Sequence, residues 1–260
     1  MSATSRRPTK AGATLWPKEH GAYAMLVFPL LSVLVFAPAA PSVLLTFGLV
    51  FAFLAHEPLL ILLGRRGPRA LRSLGPAARR RLVFMALGAT ALGAAGLWLA
   101  PVALRFIAWP LGLAVVVGVF MATGREKTVA GELLVSATFA SACLPLGVAG
   151  GASPASMLWV TGVWFATFAL EALAVKATLS RLKGKRPGLL FAAAALPTLA
   201  LLLAIALASL GFPIAWALAP ACVASFVLAW VHVHPRKLRV VGWALVGTDA
   251  AVLLSLLLLR

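Results

Sequence analysis

Carboxylates are scarce in this chain, so each can be weighed by its surroundings. The 260 residues hold 6 Asp and Glu against 23 Lys and Arg. Two of the acids, Glu57 in His56-Glu57-Pro58 and Glu171, stand inside long apolar runs. An ionised side chain in the middle of a bilayer costs about 3 kcal/mol or more, so such groups face a partner or an aqueous cavity. The separation from Ser42 to Glu57 equals the separation from Ser156 to Glu171. At ~1.5 Å per helical residue both sit roughly 22 Å from the same end of their runs. Matching depth predicts one chamber lined by His56, Glu57 and Glu171. Arg125, Thr128 and Glu132, spaced as one helical face (i, i+3, i+7), would line it too, and the basic segments 65–81 and 176–186 would form its rim. Asp249 sits midway along the last apolar run, where it either serves function or hydrogen-bonds a neighbouring helix. Lys18, Glu19 and His20 stand at the entrance to the first run; Glu19 and Glu126 read as interfacial charges beside Lys18 and Lys127. Arg79, Arg80 and Arg81 read as topology signals, and His232 and His234 as interfacial. No Cys/His/Asp spacing marks a metal site. Cys143 and Cys222 both fall in apolar runs, which argues against a disulfide framework.

The elements that position these residues are set by hydropathy. Hydrophobic side chains make up 62% of the chain, charged ones 11%, and the mean hydropathy is +1.03. That balance excludes a soluble enzyme, a disordered chain, a coiled coil and a disulfide-rich module. A helix needs about 20 residues to cross a bilayer. Nine apolar runs qualify: 22–38, 42–64, 82–100, 104–122, 131–150, 155–178, 188–210, 212–231 and 240–258. Period-two alternation is not sustained, which argues against a β-barrel. The expected fold is all-α, a polytopic membrane protein of about nine transmembrane helices. Residues 1–15 read as a disordered cytoplasmic tail and 16–260 as a single transmembrane helical domain. The first run follows basic residues but lacks a convincing small-residue cleavage pattern, so it reads as a retained helix. Prolines inside the runs (Pro29, Pro58, Pro110, Pro145, Pro197, Pro220) predict kinks of the kind that border cavities.

Every Lys and Arg except Arg105 and Arg260 falls in the N-terminal tail or in the loops after the second, fourth, sixth and eighth runs. This one-sided bias predicts the cytoplasmic (inner) membrane, with the N-terminus cytoplasmic and the C-terminus outside. The formal charge of +17 is then explained by topology and anionic lipid, with the lipid bilayer as partner and no nucleic acid.

The block Pro17-Lys18-Glu19-His20-Gly21-Ala22-Tyr23-Ala24-Met25-Leu26 with Pro29 resembles the opening of the YwiC-like membrane protein family, and His56-Glu57-Pro58 resembles its second signature. More distantly, nine helices with polar loops after the second, fourth and sixth resemble the UbiA-type intramembrane prenyltransferase superfamily. That resemblance implies a UbiA-like helical bundle. It also implies an isoprenyl diphosphate held with Mg²⁺ and transferred to a lipophilic acceptor. His56-Glu57 stands where the first motif's Asn-Asp would be, and Glu171 where the second motif's first carboxylate would be. The resemblance therefore makes Glu57 and Glu171 the metal ligands, and Arg65, Arg66, Arg125, Thr128, Lys176 and Arg181 the diphosphate ligands. His56 or His20 would be the base. The chain departs from the motifs: their later aspartates fall on Leu60, Gly64, Thr178 and Arg181, and Met121 replaces a tyrosine.

Three functions follow as expectations. The first is a prenyltransferase acting on an isoprenoid small molecule at this cavity. The second is a proton- or anion-coupled carrier using Asp249, Glu57 and Glu171. The third is a non-catalytic relative that serves another membrane complex.

Overall fold

The structure, a computed structural model, describes residues 15–16, 20–125, 127–182, 187–231, 233–234 and 237–259. Most of the predicted tail, with Lys18, Glu19, Glu126 and His232, lies outside the described residues. Among the described residues ten α-helices carry the chain: α1 His20–Phe36, α2 Ala40–Leu62, α3 Pro68–Leu99, α4 Leu104–Ala122, α5 Val129–Ser141, α6 Cys143–Ala149, α7 Pro154–Leu182, α8 Pro187–Ser209, α9 Ala219–Trp230 and α10 Leu238–Leu258. Short 3₁₀ turns at Pro101–Ala103 and Pro213–Leu218 lead into α4 and α9. Among the described residues eight helical stretches are long and apolar enough to cross a membrane, with α5 and α6 counting as one; α1 is a shorter apolar helix. The protein is therefore an all-helical, multi-pass membrane protein.

Two expectations are corrected. Segment 65–81 is not a loop, because α3 starts at Pro68 and runs for 32 residues. Gly67 and Pro68 mark the start of that helix, and Gly75 and Pro76 lie inside it. Gly64, at φ +71°, closes α2 with paired bonds, Gly64 N–H to the Ile61 carbonyl (3.0 Å) and Arg65 N–H to the Leu60 carbonyl (2.9 Å). A side chain would resist that left-handed turn. Proline then opens the next helix at little cost, since its missing N–H is at a position that has no helical partner. Arg125 likewise does not share a helical face with Glu132. It follows Gly124 (φ +71°) in the same kind of turn, and α5 begins only at Val129. The fifth span is split at Ala142 because Pro145 has no N–H for the Ser141 carbonyl.

The chain divides into two compact units, one of residues 47–94 with the N-terminal segment, the other of residues 20–46 with 95–260. In the first unit α2 and α3 pack closely. The Phe51 ring occupies the space that a side chain at Gly88 would need, and it meets Phe84 at 5.9 Å between centroids. In the second unit Trp164 is fully buried between Phe28 (6.1 Å) and Phe168 (5.4 Å), and its indole N–H donates to Ser32 Oγ (2.9 Å). That bond ties α7 to α1. α4 has no buried residue and exposes Trp109, Leu111, Val115 and Val119, a surface for lipid.

Candidate functional site

Among the described residues four acids lie inside the helices: Glu57 and Glu132 meet basic side chains, and Glu171 and Asp249 feel each other. In the first unit Glu57 is taken by Arg66 across the Gly64–Gly67 turn. Arg66 Nε donates to Oε1 at 2.7 Å and one terminal nitrogen donates to Oε2 at 2.6 Å, a two-pronged, charge-assisted pair. Glu57 is buried while Arg66 reaches the surface; Arg65 is exposed, and His56 is half-buried next to the pair. As arranged, both Glu57 oxygens already face a cation, so Mg²⁺ at this carboxylate would have to displace or share Arg66. Among the described residues no group of three or more His, Cys, Asp or Glu side chains is placed to hold a metal ion. This unit also pairs the Arg81 guanidinium with the Trp16 ring at 3.9 Å. That cation–π contact goes beyond the topology role expected of Arg81.

In the second unit the expected diphosphate ligands are largely committed to structure. Thr128 caps α5: its hydroxyl accepts the Gly131 N–H (3.1 Å) and donates to the Arg125 carbonyl (2.8 Å). Lys176 bridges to Glu132 (2.8 Å) and donates to the Lys127 carbonyl (2.6 Å), beside a shallow cleft between α5 and α7. Arg181 donates to the carbonyls of Ala229, Trp230 and Val231, which end α9 without helical donors of their own. Arg125 is exposed. His20 begins α1.

Glu171 turns away from Lys176. Thr167, Glu171, Ala174 and Thr178 form one buried face of α7 (i, i+4, i+7, i+11), and Thr178 reaches the Leu228 carbonyl of α9 at 3.4 Å. On this face the Glu171 carboxyl lies within electrostatic range of Asp249 on α10. Register explains the meeting. The interval from Glu171 to the α7 end at Leu182 equals the interval from the α10 start at Leu238 to Asp249. Those helix ends lie beside Arg181 and Lys237, so both acids sit ~16 Å in from the ends that carry basic residues. Both are buried, Glu171 at 7% and Asp249 at 2% exposure. Glu171 Oε1, Asp249 Oδ1 and the hydroxyls of Thr167 and Ser225 are buried without a hydrogen-bond partner among the described residues. Two acids this deep need a counter-charge, a proton or a cation, because bare carboxylates are not sustained out of water.

Glu57 and Glu171 thus belong to different units, and each has its own partner. Asp249 was visible in sequence as a candidate; its pairing with Glu171 was not. Thr167 was missed, although its place four residues before Glu171 is the signal that finds it.

The sequence matches the family model described as YwiC-like protein over residues 16–146, a stretch that contains Glu57, Arg66 and Glu132 and ends before Glu171 and Asp249. No curated protein and no solved structure matches the chain.

Proposed function

The chain belongs to the YwiC-like family, and we propose that it is a cation-coupled membrane carrier whose cycle runs through the Glu171–Asp249 pair. The observation that carries this reading is the buried, unpartnered carboxyl oxygens at matching depth on α7 and α10. Intramembrane acids of this kind mark ion pathways, and carriers hold coupling ions near the midplane. A cation entering the pair removes the cost of its charge, and its departure restores that cost. Occupancy therefore biases how α7 and α10 pack, which is what a transport cycle requires. The carrier sits in the cytoplasmic membrane with its N-terminus inside, as the basic residues imply. Its cargo is a small lipophilic or anionic molecule drawn to the basic face.

Prenyl transfer is the second reading. Arg65 and Arg125 favour it, because both are expected diphosphate ligands and both are exposed.

One set of proteoliposomes separates the two. With the pH dye pyranine trapped inside, a panel of organic acids, amino acids and isoprenoid alcohols is added under an imposed pH gradient. The carrier reading expects solute-dependent proton or cation movement that Glu171→Gln with Asp249→Asn abolishes. If flux is absent for the whole panel while geranylgeranyl diphosphate loses its diphosphate, the transferase reading replaces it.

A further inference from the structure

We propose that α3 carries a site for one anionic phospholipid of the cytoplasmic leaflet, its phosphate held by Arg79 and Arg80 with Arg72 beyond them, and its tails laid along Val83 and Leu87. α3 has 32 residues. That is about 48 Å of helix against a hydrocarbon layer of about 30 Å, so part of it lies among headgroups or in water. Arg72, Arg79, Arg80, Val83 and Leu87 recur at i, i+7, i+8, i+11 and i+15, which is one helical face. All five are exposed. The opposite face is the packed one: Ala70 and Ala78 are buried, and Arg81 stacks on the Trp16 ring. The strip that meets lipid tails therefore continues directly into a strip of guanidinium groups.

The packing of α2 on α3 sets the depth of that strip. The two backbones approach at Gly48, where an added Cβ would lie 3.2 Å from the Gly93 nitrogen, and Phe51 fills the place beside Gly88. Continued along the antiparallel pair, this register puts Arg79 and Arg80 level with Ile61 and Leu60, where the apolar run of α2 gives way to Gly64-Arg65-Arg66. That is headgroup depth. None of Arg69, Arg72, Arg79 and Arg80 pairs with a carboxylate among the described residues, and Glu57 is already taken by Arg66. A zwitterionic lipid brings its own ammonium and leaves these charges uncompensated, whereas a net-negative lipid neutralises them. Segment 65–81 holds seven arginines and no lysine. A guanidinium fork matches the two free oxygens of a phosphodiester, where an ammonium offers only a point charge. An acidic protein segment would have no use for the apolar half of the strip, so the occupant is a lipid. The site stands whichever of the two functional readings holds.

The test is native mass spectrometry of the purified full chain, titrated with phosphatidylglycerol or with phosphatidylcholine. One saturable phosphatidylglycerol is expected, held about tenfold or more tighter than phosphatidylcholine. Arg79→Gln with Arg80→Gln should weaken it roughly thirtyfold, since each arginine near an anionic headgroup is worth about fivefold. Arg79→Lys with Arg80→Lys should recover only part of the loss. Lys237→Gln with Arg239→Gln, which removes the same charge at the start of α10, should leave binding unchanged. Every variant should keep the parent Tm without added lipid, because the substituted side chains are exposed. Equal binding of the two lipids, or equal losses for the two glutamine pairs, overturns the site and leaves these arginines as topology signals. Displacement by glycerophosphoglycerol at the lipid's own concentration would make the ligand a free phosphate, and displacement by polyglutamate would make it an acidic protein. Either result also overturns the proposal.

Discussion

Arg66→Ala should destabilise the protein more than Glu57→Gln, although each removes the same ion pair. The asymmetry comes from exposure: the Glu57 side chain keeps 3% of its surface and the Arg66 side chain 35%. Truncating the arginine strands a carboxylate where water cannot reach it. Removing the glutamate's charge strands a guanidinium that rehydrates. Loss of one partner from a fully buried pair costs about 3–5 kcal/mol. Because a third of the arginine already meets solvent, screening reduces that to about 2 kcal/mol for Arg66→Ala. Glu57→Gln keeps one acceptor for the two donors and should cost about 1 kcal/mol, one net hydrogen bond. In Arg66→Ala with Glu57→Gln no charge is left buried, so the double variant should lose about 1 kcal/mol less than the sum of the singles. Unfolding in mixed micelles, followed by tryptophan fluorescence across a denaturing-detergent series, gives all three values. A Glu57→Gln loss equal to or larger than that of Arg66→Ala refutes the reasoning. So does additivity within about 0.5 kcal/mol.

Arg181→Ala removes the donors to three carbonyls at the end of α9. It should cost about 1–2 kcal/mol and speed amide exchange in the last turn of α9, read by hydrogen-exchange mass spectrometry; lysine, a single point of charge, should restore only part of it. Gly150→Ala would drive a Cβ into the Ala37 carbonyl oxygen. A backbone atom cannot swing aside, so the loss should approach about 3 kcal/mol in Tm-based stability. Gly162→Ala, with nothing within 4 Å of its new Cβ, should gain about 0.5–1 kcal/mol. For orientation, cysteines at Ala40 and Ser209 should label with an impermeant thiol reagent from outside intact cells, and one at Ser73 only after permeabilisation. The native Cys143 and Cys222 are buried, which keeps the background low.

Hydropathy alone places this protein in the membrane, because a stretch of helix must match the bilayer whatever its neighbours are. The nine apolar runs accordingly reappear as helices, with Gly64, Gly124 and Gly211 closing them through turns that are strictly local. The error at 65–81 was also local: Gly67-Pro68 reads as a break, and it is the seam between two helices. The pairing of Glu57 with Arg66 was within reach of sequence, since only nine residues and one tight turn separate them. The partner of Glu171 was not. These helices are apolar nearly all round, so their composition does not say which side faces which neighbour. Depth measured along one helix made Glu57 the companion of Glu171. The rotation of α7, set by Trp164 and Ser32 against α1 and by Thr178 and Arg181 against α9, aims Glu171 at Asp249, three helices further along the chain. Packing between helices distant in sequence made that choice, and only the folded chain contains it.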